Sequence, residues 1–410
     1  MCNFQVTFLF HKFRLIEIMS ILNWDYQNPT RIVFGRGQIA KLSSLIPKEK
    51  KVLVCYGYGS IKRNGVYEQV MNALQGYDIT EFSGIEANPD FDTLMKAVAI
   101  LKEKGPEDFF ILAVGGGSIC DGCKFISLAA LYEGEHPYED ILMTGGAGCT
   151  RAVPIGVVLT LPATGSESNY GCVISYRAKH GKYSMYSTET FPKFAILDPE
   201  TTYSLPTKQT ANGVVDAFVH VCEQYVVDCR HADVQDRYSE ALLKVLIDNG
   251  REVKTSPNSY EVRANIMWAA NQALNHWIDR GVRVDWATHK IGHELTAFLG
   301  LDHAQTLACV QRRVYEFKFE AKKQKLAQMA ERVFDVKEGS VEEKARKCIE
   351  LIEEFYQEMG VPTRISEYNC SQDKAWIDEV HAKFTAGNFR FGEDADIDAD
   401  VAREIILKSY

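Results

Sequence analysis

The stretch FFILAVGGGSICDGCKFISLAAL, residues 109–131, decides the fold. Six apolar, β-prone residues end at Val114, three glycines follow, and the run from Ile119 carries apolar residues at helical spacing. Strand, glycine turn and helix in that order make one βα unit of a parallel sheet. Gly115, Gly116 and Gly117 let the backbone come close to a pyrophosphate, and the free N–H groups from Ser118 onward attract its charge. A tight turn with no ligand would use the same residues, so the loop alone does not decide between the two.

Working outward, VLVCY at 52–56, DITEF at 78–82 and PIGVVLTL at 154–161 are further short strand-like runs, alternating with helical patterns from about residue 30 to 200. The alternation predicts a parallel sheet covered by helices on both faces. Beyond Leu205 the pattern changes: ANGVVDAFVHVCEQYVV, YSEALLKVLIDNG, EVRANIMWAANQALNHW and KAWIDEVHAKF all have helical periodicity. The expected division is an α/β Rossmann-like nucleotide-binding domain over 19–204 and an all-helical domain over 205–410. The first 18 residues, MCNFQVTFLFHKFRLIEI, are apolar but broken by His11, Lys12, Arg14 and Glu17. They lack the small-residue cleavage site of a signal peptide, and they are set aside as an extension.

Composition narrows the function. With 410 residues, 46% hydrophobic and 25% charged, the chain is long enough to bury a sizeable core. A formal net charge of -9 argues against a general nucleic-acid binder, which needs clustered cations. The 11 cysteines form no regular ladder, and a reducing cytoplasm fits them best. Cys120 and Cys123 make a CxxC without a second pair and read as small packing residues. No run reaches the roughly 20 apolar residues of a membrane span. Small molecules and other copies of the chain are the expected partners.

A second loop, Gly57-Tyr58-Gly59-Ser60-Ile61-Lys62-Arg63-Asn64-Gly65, follows VLVCY. It is not a GxGxxG fingerprint. An NAD site usually offers an Asp or Glu to the ribose 2′-hydroxyl, whereas this segment offers Gly57, Gly59, Ser60 and the cations Lys62 and Arg63, which suit a 2′-phosphate. A solvated surface pair would explain Lys62 and Arg63 equally well.

In GVVDAFVHVCEQY, Asp216 and His220 stand at i and i+4 of a helix, on one face. In DWATHKIGHELTAFLGLDHAQT, His289 and His293 repeat that spacing, and His303 follows the turn-like GLD. One carboxylate with several imidazoles suits Zn²⁺ or Fe²⁺ rather than Ca²⁺ or Mg²⁺. Taken singly, each histidine reads better as a helix cap or a core residue, and only the set points to a metal. GHELTA is not a zinc-protease HExxH, because Ala297 stands where the second histidine would be.

Together PTRIVFGRG (29–37), AVGGGSICDGCKF (113–125), LTLPATGSESN (159–169), GVVDAFVH and DWATHKIGHELTAFLGLDHAQTLA resemble the iron-containing alcohol dehydrogenase family, within it the bacterial branch of NADPH-dependent aldehyde reductases and butanol dehydrogenases. The resemblance implies a Rossmann-like domain followed by a helical metal domain, as in the dehydroquinate-synthase-like fold. It implies that Asp216, His220, His289 and His303 are metal ligands and that His293 relays protons or meets substrate. It also implies a pyrophosphate loop at Gly115 to Ser118 with Asp121 one turn later, and nicotinamide and ribose contacts at Thr160, Thr164 and Lys182. The sequence departs from the branch at Tyr58, where three glycines are usual and a tyrosine would narrow the adenosine site. It departs again beyond Ala308, where CVQRRVYEFKFEAKK is unusually cationic.

The activity so implied is hydride transfer between small aldehydes or primary alcohols and NADP(H), preferred over NAD(H), with one divalent cation, Fe²⁺ or Zn²⁺, in a cytoplasmic homodimer. Alternatives are a dehydroquinate-synthase-like lyase or a glycerol-dehydrogenase-like enzyme of the same fold, or a metal-stabilised binding protein without turnover. The lyase needs several cations around its substrate, and DWATHKIGHELTAFLG is mostly apolar apart from its histidines.

Overall fold

The computed structural model describes residues 21–227, 231–370 and 373–410, so the extension at 1–18 lies outside the described residues. The four strand-like runs all form strands: β2 (Lys51–Cys55), β3 (Ile79–Phe82), β4 (Phe109–Gly116) and β5 (Ile155–Leu161). With β1 (Arg31–Phe34) and β8 (Phe194–Leu197) they make one parallel sheet in the order β1-β8-β5-β4-β2-β3.

Alternation along the strands sends side chains to two separate cores. Leu53, Cys55, Ile111 and Ala113 face helices α2 (Phe91–Lys104) and α3 (Gly117–Ala129), where Leu94, Val98, Phe125 and Ile126 receive them. Val52, Val54, Leu112 and Val114 face the other way, onto Val66 and Val70 of α1 (Val66–Ala73). Burial on both faces explains why these strands read as unbroken apolar runs. Cys120 and Cys123 are buried free thiols, and burial pushes both well above the usual thiol range.

The antiparallel hairpin of β6 (Gly171–Tyr176) and β7 (Gly181–Tyr186) did not announce itself in the sequence. Its strands, GCVISY and GKYSMY, send Cys172, Ile174 and Met185 into the sheet-domain core while serine, lysine and glycine interrupt the apolar pattern, and Ser175 N–H donates to Pro89 C=O at 2.9 Å.

From Thr207 the described chain is helical: α4 (Thr207–Tyr225), α5 (Asp233–Glu252), α6 (Tyr260–Ala273), α7 (Ala287–Leu299), α8 (His303–Phe317), α9 (Phe319–Arg332), α10 (Val341–Glu358), α11 (Ala375–Ala386) and α12 (Ala399–Lys408). Helix α4 is buried on every side from Thr210 to Tyr225, which makes it the axis of this half. Val214, Phe218 and Val221 anchor the core with Leu243, Leu246, Ile266 and Phe355. Among the described residues no helix is long and apolar enough to cross a membrane.

The cationic stretch beyond Ala308 is neutralised locally. Arg312 pairs with Glu316 at 2.8 Å and with Glu353, Arg313 with Glu316 at 2.7 Å, and Lys322 with Asp285 at 2.7 Å and Glu393 at 2.9 Å.

Helix α4 meets the sheet domain at Gly213, where an added Cβ would stand 2.5 Å from the Pro162 carbonyl oxygen. Alanine normally favours a helix interior over glycine by about 1 kcal/mol. Here backbone blocks it, and overpacking costs about 1–3 kcal/mol. Gly213→Ala is therefore expected to lower the thermal unfolding midpoint; a raised midpoint would show that this contact yields freely.

Candidate metal centre and nucleotide cleft

Asp216 and His220 project from α4, His289 from the first turn of α7, and His303 is the first residue of α8. Local signals set these starts. Gly300 ends α7 in the left-handed region at φ 67°, and Asp302 caps α8 in a reciprocal box with Gln305. One ligand atom from each of the four lies within 4.8 Å of the other three.

The electrostatics fit a cation. Asp216 Oδ1, His220 Nδ1 and His303 Nδ1 are buried without a hydrogen-bond partner, and His220 Nε2 faces His289 Nε2 at 3.0 Å. Leaving a buried polar atom unpaired costs about 1–3 kcal/mol, so a cluster of them is stable only with something to coordinate. Burial pulls His220 down to about 4 and His289 to about 3, and it lowers His303 strongly, which leaves all three rings neutral with lone pairs to offer. Three imidazoles and a carboxylate oxygen fit one divalent transition-metal ion.

Glu223, which sequence reasoning passed over, completes the arrangement. Its Oε1 accepts the N–H of Thr288 at 2.7 Å and of His289 at 3.4 Å, while Oε2 meets His289 Nδ1. The contact turns His289 so that Nε2 faces the cluster, the usual role of a carboxylate behind a metal-binding histidine. A signal was present, since Asp216, His220 and Glu223 stand at i, i+4 and i+7 on one helical face. Trp286, in the left-handed region at φ 56°, sets its ring 5.3 Å from that of His289.

His293 stands beside the cluster, its ring centroid 5.4 Å from His303 and 6.3 Å from His289. Burial, reinforced by Lys182 and Lys290, holds it well below the usual imidazole range. Its ring makes no protein hydrogen bond among the described residues, and it lines the cleft.

That cleft, about 520 Å³, runs from the cluster to the carboxyl ends of the strands, where open α/β sheets bind ligands. Of the nucleotide residues expected from the sequence, Gly116, Gly117, Ser118, Asp121, Thr164 and Lys182 line it. At Gly117 a Cβ would collide with Thr164 Oγ1 at 2.5 Å, so the turn passes against the β5 loop only because that residue is glycine. Asp121 turns inward, Oδ1 accepting from Ser166 Oγ at 2.6 Å and Oδ2 from Val173 N–H at 2.9 Å, so it braces the cleft wall. Lys182 Nζ donates to Asn88 Oδ1 at 2.9 Å, and burial lowers it to about 8.

Gly57, Gly59, Ser60, Arg63, Gly115 and Thr160 do not line the cleft. Gly115 and Thr160 stay inside β4 and β5, and the 57–63 segment lies beyond Ile85, which borders the cleft and sits against Gly57. Tyr58 is 78% exposed. A carboxylate does reach this segment from the neighbouring strand. Glu81 accepts from Tyr56 Oη at 2.7 Å and Tyr67 Oη at 3.0 Å and lies 3.8 Å from Lys62.

Family models bear on this geometry directly. Residues 29–199 match the iron-containing alcohol dehydrogenase model, and residues 210–403 match the C-terminal model of the Fe-containing alcohol dehydrogenase family. The chain belongs to the iron-containing alcohol dehydrogenase family. Over 385 residues it is 49% identical to the NADPH-dependent aldehyde reductase YqhD of Escherichia coli (strain K12), covering 93% of this chain and 98% of that one. The substrate- and cofactor-free structure of YqhD superposes with a TM-score of 0.86 at 47% identity, covering 95% of this chain and 100% of that one. The NADH-dependent butanol dehydrogenase A of Thermotoga maritima gives 0.88 at 31% identity, covering 95% and 99%.

Loss of the carboxylate behind His289 tests the centre without removing any of its four clustered groups. Glu223→Gln is expected to weaken Zn²⁺ or Co²⁺ affinity about 10- to 100-fold in chelator competition; unchanged affinity would leave Glu223 a structural residue only.

Proposed function

We propose that this protein is a metal-dependent, NADP(H)-linked oxidoreductase that interconverts small aldehydes and primary alcohols. The observation that carries the reading is that the Asp216, His220, His289 and His303 cluster and the Gly116–Ser118 turn open into one cleft. The names of two relatives, an NADPH-dependent aldehyde reductase and an NADH-dependent butanol dehydrogenase, support the reaction class.

Asp216, His220, His289 and His303 would hold one Fe²⁺ or Zn²⁺. When bound, that ion supplies Lewis acidity toward the substrate oxygen, and the nicotinamide gives or takes the hydride. The chain supplies position and a dry surrounding. N–H groups at the start of α3 receive the pyrophosphate, and Thr164 and Lys182 hold the nicotinamide ribose. Trp286, Leu161 and Leu274 line the cleft with apolar surface that keeps water from the reacting carbon. His293, neutral and without a protein hydrogen bond to its ring among the described residues, takes a proton on one ring nitrogen and releases it from the other.

Preference for NADP(H) rests on charge. Glu81 is already engaged by two tyrosine hydroxyls, so it is a poor acceptor for a ribose hydroxyl, while exposed Arg63 is free to meet a 2′-phosphate. The proposal includes a division into a nucleotide-binding unit over 19–204 and a metal-binding unit over 205–410, supported by the last sheet strand ending at Leu197 and α4 beginning at Thr207. It also includes a homodimer in the cytoplasm. Edge strand β1, flanked by exposed Phe34 and Trp268, offers a face for a second copy, and the buried free thiols suit a reducing compartment.

Two measurements test the reading. His220→Ala and His289→Ala should each lose bound metal and aldehyde reduction together, whereas His293→Ala should keep its metal and turn over slowly. Full activity in a metal-free variant would overturn the ligand assignment, and a metal-free His293→Ala would make that residue a ligand. For the nucleotide, kcat/KM should favour NADPH over NADH by roughly 10- to 100-fold, the equivalent of a charge-assisted contact of about 1.5–3 kcal/mol. Arg63→Ala should erase most of that difference, and a preference that survives it would move the contact to Ser60, Lys62 or the loop backbone.

A further inference from the structure

Lys290 stands on α7 between His289 and His293 and lines the cleft. Its Nζ donates to Ser184 Oγ of β7 at 3.2 Å, and it makes no ion pair among the described residues. The carboxylates around the cleft are otherwise committed. Glu86 pairs with Arg177 at 3.1 Å, Asp279 with Arg280 at 2.6 Å and Asp302 with Lys208 at 2.8 Å. Asp121 is held by Ser166 and Val173, and Asp216 belongs to the metal cluster. Glu223, whose charge Lys290 feels, spends its oxygens on Thr288 and His289.

A half-buried ammonium with only a hydroxyl for company is stable where an anion arrives to meet it. Lys182 has Asn88 and is assigned above to the cofactor, and the pyrophosphate end of the cleft is served by backbone N–H groups. Lys290 is the cation left on the cleft wall, next along α7 to His289, where the remote end of a short substrate held by its carbonyl at the metal cluster would lie.

We infer that Lys290, with Ser184, selects aldehydes whose far end carries a carboxylate. The inference rests on the oxidoreductase reading above and names its substrate class. In the reaction the carbonyl carbon takes hydride from the reduced nicotinamide and the oxygen takes a proton, while the carboxylate end is unchanged and serves as the handle. Substrates of this class come from reactions that leave an aldehyde at one end of a short carboxylic acid, such as loss of an amino group by transamination.

The test compares kcat/KM for a series of ω-carboxy aldehydes with that for methyl-ended aldehydes of the same chain length, using NADPH and metal-loaded enzyme. The parent should favour the best carboxylated member about 10-fold or more. Lys290→Met should reduce that ratio by about 10- to 100-fold, and Lys290→Arg should keep most of it. Equal or better use of neutral aldehydes by the parent overturns the inference while leaving the oxidoreductase reading intact, as does an unchanged ratio in Lys290→Met. Absence of turnover with every aldehyde and either nucleotide removes both. The parent comparison and the Arg variant decide the matter even if Lys290→Met fails to fold.

Discussion

Glu223 is the hinge on which the catalytic half is assembled. Helix α7 begins after a left-handed Trp286 that provides no side-chain cap; Asp285 accepts the N–H of Ala287 at 2.8 Å, and the next two N–H groups need an acceptor from elsewhere. They find it in a carboxylate on α4, placed at the positive end of the α7 dipole. The same carboxylate turns the His289 ring toward Asp216 and His220. Two N–H groups of the helix start and the orientation of the His289 ring thus depend on one side chain that is 2% exposed. Burial raises the Glu223 carboxyl well above its usual range, and the Thr288 and His289 amides with Lys322 pull against that rise. Lys322 itself is held between Asp285 and Glu393, so a buried chain of alternating charge supports the metal-side helices from behind.

In front of that support the molecule keeps polar atoms unsatisfied. Proteins rarely bury a carboxylate oxygen and two imidazole nitrogens without partners, because each adds a desolvation cost to folding. The cost is tolerated where a ligand binds, and here three helices converge to concentrate it at one point. The sheet domain contributes a complementary surface, a glycine turn packed so closely on Thr164 that no side chain intervenes between helix α3 and an approaching anion.

Much of this was legible in the sequence. The central strands read clearly because burial on both faces makes them apolar throughout, and Asp216 and His220 read as a pair because α4 is helical over their whole spacing. Lys182 and Thr164 needed the family resemblance, since neither sits in a pattern that chemistry alone would select. What stayed hidden was tertiary. Glu223 is an ordinary helix residue until α7 is laid against it, and Glu81 is remote in sequence from the loop it joins. Lys290 looks like a solvent-facing lysine until β7 closes over it. The hairpin of β6 and β7 escaped because glycine, serine and lysine break up the apolar residues of its two short strands.

The 57–63 segment lies outside the cleft that holds the metal cluster, with Ile85 between the two. On the proposed reading, in which this segment meets the adenosine end of the nucleotide, substitutions in it would change the charge presented there without disturbing any residue of the Asp216–His220–His289–His303 group. On that reading, natural selection would be able to retune redox coupling, drawing electrons from one nicotinamide pool or the other, as an adjustment independent of bond chemistry. Relatives whose names carry NADPH and NADH share this fold.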